Sequence, residues 1–262
     1  MVTIYDWFGY EVSMKERYEL IKEAGFDGVL LWWSEHFGRG DYRSGPQLAR
    51  EAGLIIENIH APIHNEHDLW TDNLNGESVT NSYLQCILDC NAYEIPTMVV
   101  HLPSEDYPYN TLGVERVKRI TEQAEQFNVN VAFENLRNFT NLSQVLDQVD
   151  SKRIGFCYDC GHHYRYYPSK DLLSMYGSRL MAVHLHDDNG SWEQHGLPFD
   201  GSIEWSTTMN QIAGTGYTGA TALEPMNWDY EELSIRAFLE KAFVKAKQLE
   251  ELRLSNSQKI KK

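Results

Sequence analysis

The sequence predicts a single α/β domain with the fold of a (β/α)8 TIM barrel. Short apolar runs, typical of strands in a sheet covered on both faces, alternate with amphipathic helical stretches along the chain. Eight such strands fit within its 262 residues, and this barrel typically needs about 250 residues. An open doubly wound sheet is the alternative, but the segment after the first strand, FGYEVSMKE, lacks the glycine-rich phosphate turn usual in such sheets.

The eight strands are predicted from apolar runs of four to eight residues. They are VTIYDWF (2–8), FDGVLLW (26–32), LIIENIH (54–60), TMVVHL (97–102), VNVAFEN (129–135), RIGFCYD (153–159), MAVHLH (181–186) and GATALEP (219–225). Several of these runs end in a histidine or an acid, which is unusual for a buried strand and is considered below.

Helices are predicted where apolar residues recur every three or four positions. The clearest are 13–25, 76–94, 113–127 and 141–149, and a last helix over 229–253 could close the barrel. No Pro/Gly/Ser-rich linker or internal repeat divides the chain. The expected domain therefore spans residues 1–253, followed by a flexible basic tail at 254–262.

Composition narrows the classes of function and location. The net charge of −15 repels DNA backbones and anionic lipid surfaces, so nucleic acid is an unlikely partner. No apolar run is long enough to span a membrane, and the first residues do not resemble a signal peptide. Four cysteines without a second CxxC pair are expected to be buried free thiols, as in a cytoplasmic protein. The sequence leaves homo-oligomerisation open.

Residues with metal-ligand chemistry stand at or just beyond the ends of six consecutive predicted strands. They are His60, His101, Glu134, Asp159, His162, His184, Glu193, His195 and Glu224. One such residue alone is more often a hydrogen-bonded structural group or a cap. Because the carboxyl ends of barrel strands form one face, all nine are expected to converge there.

Four of these residues come from strands five to eight and form the predicted metal site: Glu134, Asp159, His184 and Glu224. Three carboxylates and one imidazole suit a divalent ion, Mn²⁺ or Zn²⁺ first and Co²⁺ or Mg²⁺ as alternatives. Coordination positions left open could bind substrate oxygens. A buried carboxylate without a partner costs several kcal/mol, and a cation removes this cost.

In their order and spacing, several short motifs resemble the xylose isomerase-like barrel superfamily. They are IHAP (59–62), VVHLP (99–103), FEN (133–135), YDCGH (158–162), VHLHDDNG (183–190), EQHGLPFDGSIEW (193–205) and LEP (223–225). The superfamily includes sugar and sugar-phosphate isomerases and epimerases, and apurinic endonucleases of the endonuclease IV type. The resemblance implies the same four metal ligands, with His162 and His195 as substrate or second-metal residues.

The resemblance leaves the choice between the two branches open on ligands alone. All nine residues match the positions that hold three zinc ions in the endonuclease branch, although Glu193 stands where that branch usually has aspartate. Glu193, His195 and His162 are therefore candidates for a second metal. Few lysines or arginines follow the predicted strands, and a DNA-cleaving enzyme would need them, so the sugar branch is favoured. A sugar-binding barrel without turnover is a third alternative.

In the sugar branch, the expected reaction passes through an enediolate, with Glu134 and Glu224 as the catalytic acid and base. The expected substrate is a ketose, an aldose or a related polyol. Substrate contacts are predicted for His60, His101, His162 and His195, and for an aromatic wall. That wall would contain Trp7, Phe8, Trp32 and Trp33, at the ends of strands one and two, with ordinary core packing of these rings as the alternative. The loop WWSEHFGRG (32–40) could act as a lid, with a plain surface loop as the alternative.

Overall fold

The computed structural model describes residues 1–35, 40–103, 106–137 and 139–260. Its eight strands lie within or overlap the predicted runs. They are β1 (Val2–Tyr5), β2 (Gly28–Trp32), β3 (Ile55–His60), β4 (Thr97–Val100), β5 (Asn130–Glu134), β6 (Ile154–Asp159), β7 (Leu180–His184) and β8 (Thr221–Leu223). The predicted fold class, a single (β/α)8 barrel, is confirmed.

All strands are parallel, and each pairs with its neighbours in the order β7-β6-β5-β4-β3-β2-β1-β8. Contacts just beyond the end of β7 bring the two edges of this sheet together. The amide of Leu185 donates to the carbonyl of Ala222 at 2.9 Å, and the amide of Glu224 donates to the carbonyl of Leu185 at 3.0 Å. The sheet is therefore nearly a closed barrel.

The helices surround this sheet. They are α1 (Met14–Ala24), α2 (Gly45–Glu51), α3 (Leu74–Ala92), α4 (Thr111–Phe127), α5 (Phe139–Gln148), α6 (Cys160–Tyr166), α7 (Leu172–Tyr176), α8 (Trp205–Gly214) and α9 (Ile235–Ile260). Local signals set their ends, as in α1. Ser13 accepts a hydrogen bond from the amide of Glu16, and Gly25 ends the helix with φ of 107°, a conformation that glycine adopts without strain.

Alternation along the strands places the polar residues above the barrel interior. A layer of small buried side chains fills that interior, formed by Val99, Ala132, Cys157 and Ala182. Successive side chains of a strand point to opposite faces, so residues two positions later return to the interior, one layer higher. Those residues are His101, Glu134, Asp159 and His184.

Several boundaries differ from the sequence expectation. The last helix begins at Ile235, six residues after the expected start at 229, because residues 229–234 form turns instead. It also continues to Ile260, beyond the expected domain boundary at residue 253. Helices α2, α6, α7 and α8 are too short, or too close to a strand, to show a clear periodic pattern.

Three further expectations concern the described residues. All four cysteines are free and buried, as predicted. None of the helices in the described ranges is long and apolar enough to cross a membrane. Residues 36–39 of the predicted lid lie outside the described residues.

Candidate active site

A cavity of about 560 Å³ opens at the carboxyl ends of the strands, where barrel enzymes place their active sites. This volume lies within the range of about 300–1,000 Å³ that is common for small-molecule sites. Its lining residues are Tyr5, Trp7, Trp32, His60, Ile63, Glu66, His67, His101, Leu102, Asp106, Glu134, Leu136, Arg137, His162, Glu193, His195, Glu224 and Met226.

The four predicted metal ligands meet at the base of this cavity. Each of Glu134, Asp159, His184 and Glu224 offers one ligand atom, and these four atoms lie within 4.8 Å of one another. His184 Nδ1 is 3.4 Å from Glu134 Oε2 and 3.2 Å from Glu224 Oε2. All four side chains are buried. Strands that are distant in the sequence thus bring three carboxylates and one imidazole to a single point.

The polar atoms at this point fit a divalent cation. Glu134 Oε2 and His184 Nδ1 are buried and have no hydrogen-bond partner within the described part of the chain. A buried polar atom without a hydrogen-bond partner costs free energy of folding. These two atoms face each other and have no separate hydrogen-bond donor or acceptor among the described residues. A cation would satisfy them together, and an oxygen-rich set with one nitrogen suits Mn²⁺, Zn²⁺, Co²⁺ or Mg²⁺.

A second group of candidate ligands adjoins the first and shares Glu134 with it. His60 Nε2 and His101 Nε2 lie 3.2 Å apart, and they are 3.4 Å and 3.3 Å from Glu134 Oε2. The ligand atoms of these three residues also lie within 4.8 Å of one another. His60 Nδ1 lies 2.9 Å from the carbonyl of Ala61, an interaction that orients the ring. These two histidines can therefore contact either substrate or a second cation.

Asp159 is held in place by contacts from three neighbouring segments. Its Oδ1 accepts the amide of His162 at 2.7 Å and so caps α6. The side chain of Asn135 bonds both the amide and the carbonyl of Asp159, each at 2.8 Å. His186 Nε2 lies 3.1 Å and 3.0 Å from its two carboxylate oxygens. His186 therefore orients a candidate ligand, a supporting role of the kind expected beside metal sites.

Electrostatics favour ionised carboxylates at the base of the cavity. Burial alone would raise the pKa of Glu134, but His184 and His101 hold that pKa well below its ordinary value. Burial would also raise the pKa of Glu224, but the nearby His184 lowers it. Burial would lower the pKa of His184, but the same carboxylates raise it. Metals bind the deprotonated carboxylate and the neutral imidazole, so a cation at this point would take the place of the proton on His184 and keep the two glutamates ionised.

The candidate second-metal residues Glu193, His195 and His162 do not converge as the four predicted ligands do. Glu193 Oε2 is 3.0 Å from Arg137 Nη2, and the hydroxyl of Tyr166 donates to Glu193 Oε1. His162 Nε2 is 3.8 Å from Glu193 Oε1. Within the described residues, Glu193, His162 and His195 do not form a group whose ligand atoms all lie within 4.8 Å. As a second-metal site this trio stays a prediction, and in this arrangement Glu193 pairs with an arginine.

Half of the predicted aromatic wall faces the cavity. Trp7 and Trp32 line it, whereas Phe8 and Trp33 pack in the core. Phe8 stacks on Phe238 with ring centroids 6.0 Å apart. The indole nitrogen of Trp33 donates to Asp89 at 2.9 Å. For Phe8 and Trp33 the alternative of core packing is therefore the correct one, because adjacent residues at a strand end point in opposite directions.

Sequence reasoning missed several lining residues, and two of them had a usable signal. Tyr5 precedes Trp7 by two positions, so strand alternation alone places it toward the same interior. Met226 follows Glu224 by two positions and lies in the loop after β8. Ile63 and Asp106 come from loops and His67 from a short 3-10 helix (Glu66–Trp70), where no periodic pattern indicates the direction of a side chain.

Comparison with known proteins defines the class of this barrel. The xylose isomerase-like TIM barrel family matches residues 18–242. A protein of Sinorhizobium fredii, "Uncharacterized protein y4fM", is 26% identical over 301 aligned residues that cover 96% of this chain and 94% of that protein. The chain therefore belongs to the xylose isomerase-like TIM barrel family.

Two solved structures share the fold across nearly the whole chain. The D-psicose 3-epimerase of Clostridium cellulolyticum H10, solved with D-tagatose, has a TM-score of 0.78 at 17% identity. That match covers 96% of this chain and 99% of the epimerase. The IOLI protein, solved with a bound zinc atom, has a TM-score of 0.76 at 12% identity, over 97% of this chain and 98% of IOLI. At such identities the likeness shows the fold.

Proposed function

We propose that this protein is a divalent-metal-dependent sugar isomerase or epimerase. Its substrate would be a ketose, an aldose or a related polyol, and its reaction would pass through an enediolate. The observation that carries the proposal is the convergence of two buried glutamates, Glu134 from β5 and Glu224 from β8, on His184 at the base of an open cavity. A protein that only binds sugar has no need for an opposed pair of ionised carboxylates.

In this proposal, Glu134, Asp159, His184 and Glu224 hold the metal, which when bound polarises the substrate carbonyl and stabilises negative charge on the neighbouring oxygens. Glu134 and Glu224 also exchange protons with the substrate carbon beside that carbonyl. They come from strands three apart in the barrel, so they approach the substrate from different sides. In an isomerisation, one ionised glutamate takes the proton from one substrate carbon and returns it to the neighbouring carbon. In an epimerisation, one ionised glutamate takes the proton, and the other, protonated beforehand from solvent, returns a proton to the opposite face.

The remaining cavity residues would bind and orient the sugar. His60, His101, His162 and His195 offer ring nitrogens to hydroxyl groups. Trp7 and Trp32 give an apolar wall on the β1 and β2 side, against which the hydrocarbon face of a sugar can pack. Such a wall also excludes water from the reacting carbon.

The similar proteins support this reading in two respects. One has the name of a ketose epimerase and was solved with a ketose, and another was solved with zinc. The electrostatic character of the cavity agrees with a neutral substrate. Among its described lining residues, Arg137 is the only lysine or arginine, and it pairs with Glu193. A cytoplasmic location and the metal's identity stay predictions.

The test combines metal analysis with a panel of aldoses and ketoses, using Glu134→Gln and Glu224→Gln. Glutamine keeps the shape of the side chain but cannot accept the proton, so turnover should fall by about 10²–10⁴-fold. Glu57→Gln is the matched control, because Glu57 lies at the opposite end of the barrel and bonds Tyr217 and Ala220. It should retain turnover. Wild-type protein with neither bound metal nor turnover would contradict the proposal.

An apurinic-site endonuclease is the second candidate, and one specific observation favours it. The His60, His101 and Glu134 group could hold another cation beside the first, as multi-metal phosphoesterases require. The charge of −15 and the paired state of Arg137 oppose it. Nicking of abasic-site DNA at physiological salt, without sugar turnover, would establish this alternative instead.

A further inference from the structure

An exposed pair of tryptophans lies beside the cavity mouth and has no role in the proposed chemistry. Trp192 is in the loop after β7 and Trp228 is in the loop after β8. Their side chains are 42% and 44% exposed, and their ring centroids lie 5.7 Å apart with planes at 33°. Tryptophan is large and mostly apolar, so two exposed rings in contact indicate a binding surface more than ordinary surface packing.

The pair is continuous with the catalytic cavity. The ring of Trp228 contacts His195 edge-on with centroids 5.7 Å apart, and His195 lines the cavity. The other tryptophan directly precedes Glu193, which also lines it. A molecule bound at the base of the cavity and extending outward on this side would therefore meet the two indoles.

The two loops that carry the pair are fixed to each other. The amide of Met226 donates to the carbonyl of His195 at 2.7 Å, and the side chain of Gln194 donates to Asp229 at 3.2 Å. His195 Nδ1 lies 3.1 Å from the carbonyl of Glu224. Because these contacts hold both loops, the indoles are positioned before any ligand binds, which lowers the entropic cost of binding.

We infer that the Trp192 and Trp228 pair is an outer subsite that stacks a second sugar ring, so that the preferred substrate is a glycosylated ketose rather than a free monosaccharide. This inference rests on the proposed function, because it requires the reacting sugar at the base of the cavity. Neither tryptophan lines the cavity itself, so the second ring would lie outside it, on the indoles beside His195.

A second copy of this chain is a weaker choice of occupant. At 42% and 44% exposure, the two indoles offer roughly 200 Å² between them, since a tryptophan has up to about 250 Å² to bury. A stable protein interface buries about 800 Å² on each partner. The tryptophan pair alone is too small for that purpose, whereas it matches the faces of one sugar ring.

The test measures binding as well as turnover, so that the inference and the proposed function can fail separately. The probes are fructose and isomaltulose, which is fructose with a glucosyl group on O6. Binding of both is measured by calorimetry on metal-loaded Glu134→Gln protein, and turnover of both on wild type. We expect isomaltulose to bind about tenfold more tightly than fructose, equivalent to ~1.4 kcal/mol.

Variants of the pair then locate the added affinity. Trp192→Ala with Trp228→Ala should abolish the preference for isomaltulose, whereas phenylalanine at both positions should keep most of it. Tyr107→Ala is the matched control. Tyr107 is 40% exposed on the opposite rim and stacks on His67 at 5.3 Å. A preference lost through Tyr107→Ala instead would overturn the assignment.

The remaining outcomes are also decisive. Fructose turnover without any preference for isomaltulose in binding or kcat/KM would refute the outer subsite and leave the proposed function intact. Preferential binding of isomaltulose that depends on the tryptophans, without bound metal and without turnover of isomaltulose or of any sugar in the panel, would support the subsite and refute the isomerase. Sedimentation of wild type and the double alanine variant is the last check. A dimer that dissociates on substitution would assign the pair to a protein interface and overturn the inference.

Discussion

Asp187 should be the main stabilising residue of the long loop after β7, which carries Glu193 and His195 to the cavity. Its side chain is 1% exposed. The carboxylate accepts the amides of Phe199 and Ile203 at 2.8 Å and 3.1 Å, and the indole N–H of Trp205 at 2.7 Å. One buried carboxylate thus joins the strand end, the returning loop and the start of α8.

The substitution Asp187→Ala removes the acceptor of these three bonds and of a fourth, from the amide of Asp188 at 3.0 Å. The donors of Ile203 and Trp205 lie in fully buried bonds, and each buried donor left without a partner costs about 1–3 kcal/mol. The expected loss in free energy of unfolding is therefore about 4 kcal/mol. Asp187→Asn should lose roughly half as much, because one oxygen remains to accept.

The assay is urea unfolding followed by tryptophan fluorescence and circular dichroism, with the m-value held constant between variants. Asp171→Ala is the control, since Asp171 is an exposed cap that accepts the amide of Ser174 and should cost only about 1 kcal/mol. The effects of Asp187→Ala and Trp205→Phe should be less than additive, because each removes the same bond. A loss below 1 kcal/mol for Asp187→Ala would refute this account of the loop.

Two more predictions concern the metal site and its histidines. Treatment with a chelator should lower the melting temperature, because the facing carboxylates of Glu134 and Glu224 lose their cation, and Mn²⁺ or Zn²⁺ should restore it. The measurement is scanning fluorimetry. A melting temperature that does not change with the chelator would contradict a bound metal. His195 has its pKa lowered to about 4 by burial and by the nearby charge of His186, so the unfolded chain takes up its proton first as pH falls. The free energy of unfolding of the metal-free protein should therefore fall between pH 6.5 and 4. In urea titrations, the His195→Gln variant should lose less free energy of unfolding over this pH range. The same pH dependence in both proteins would exclude this contribution of His195.

Much of the fold could be predicted from the sequence because strand and helix periods are local. Runs such as TMVVHL and RIGFCYD show their buried character within a few residues. Short elements were harder to predict. Helix α6 begins directly after β6, with Asp159 serving as both strand end and cap, so no separate start signal exists. The delayed start of α9 depends on turns around Tyr230, whose hydroxyl bonds the amide of Leu197 in another loop.

The candidate site could also be predicted from the sequence only in part. Strand alternation and the shared direction of the strands explain why polar residues at several strand ends meet in one cavity, and both are features of the sequence pattern. The direction in which a side chain points beyond a strand end does not follow from these patterns. Trp32 faces the cavity, while its neighbour Trp33 bonds Asp89 in the core. Within the stretch VHLHDDNG, His184 is a candidate metal ligand, His186 orients Asp159, and Asp187 holds the following loop.

Local sequence patterns were sufficient to predict a (β/α)8 barrel with carboxylates and imidazoles at the carboxyl ends of its strands. Which atoms of these residues face each other is a property of the folded chain. The tertiary structure places His184 Nδ1 between two glutamates, turns His186 onto Asp159, and pairs Glu193 with Arg137. Those contacts join residues from different strands and loops, so they depend on side-chain rotamers and loop paths that no local period encodes.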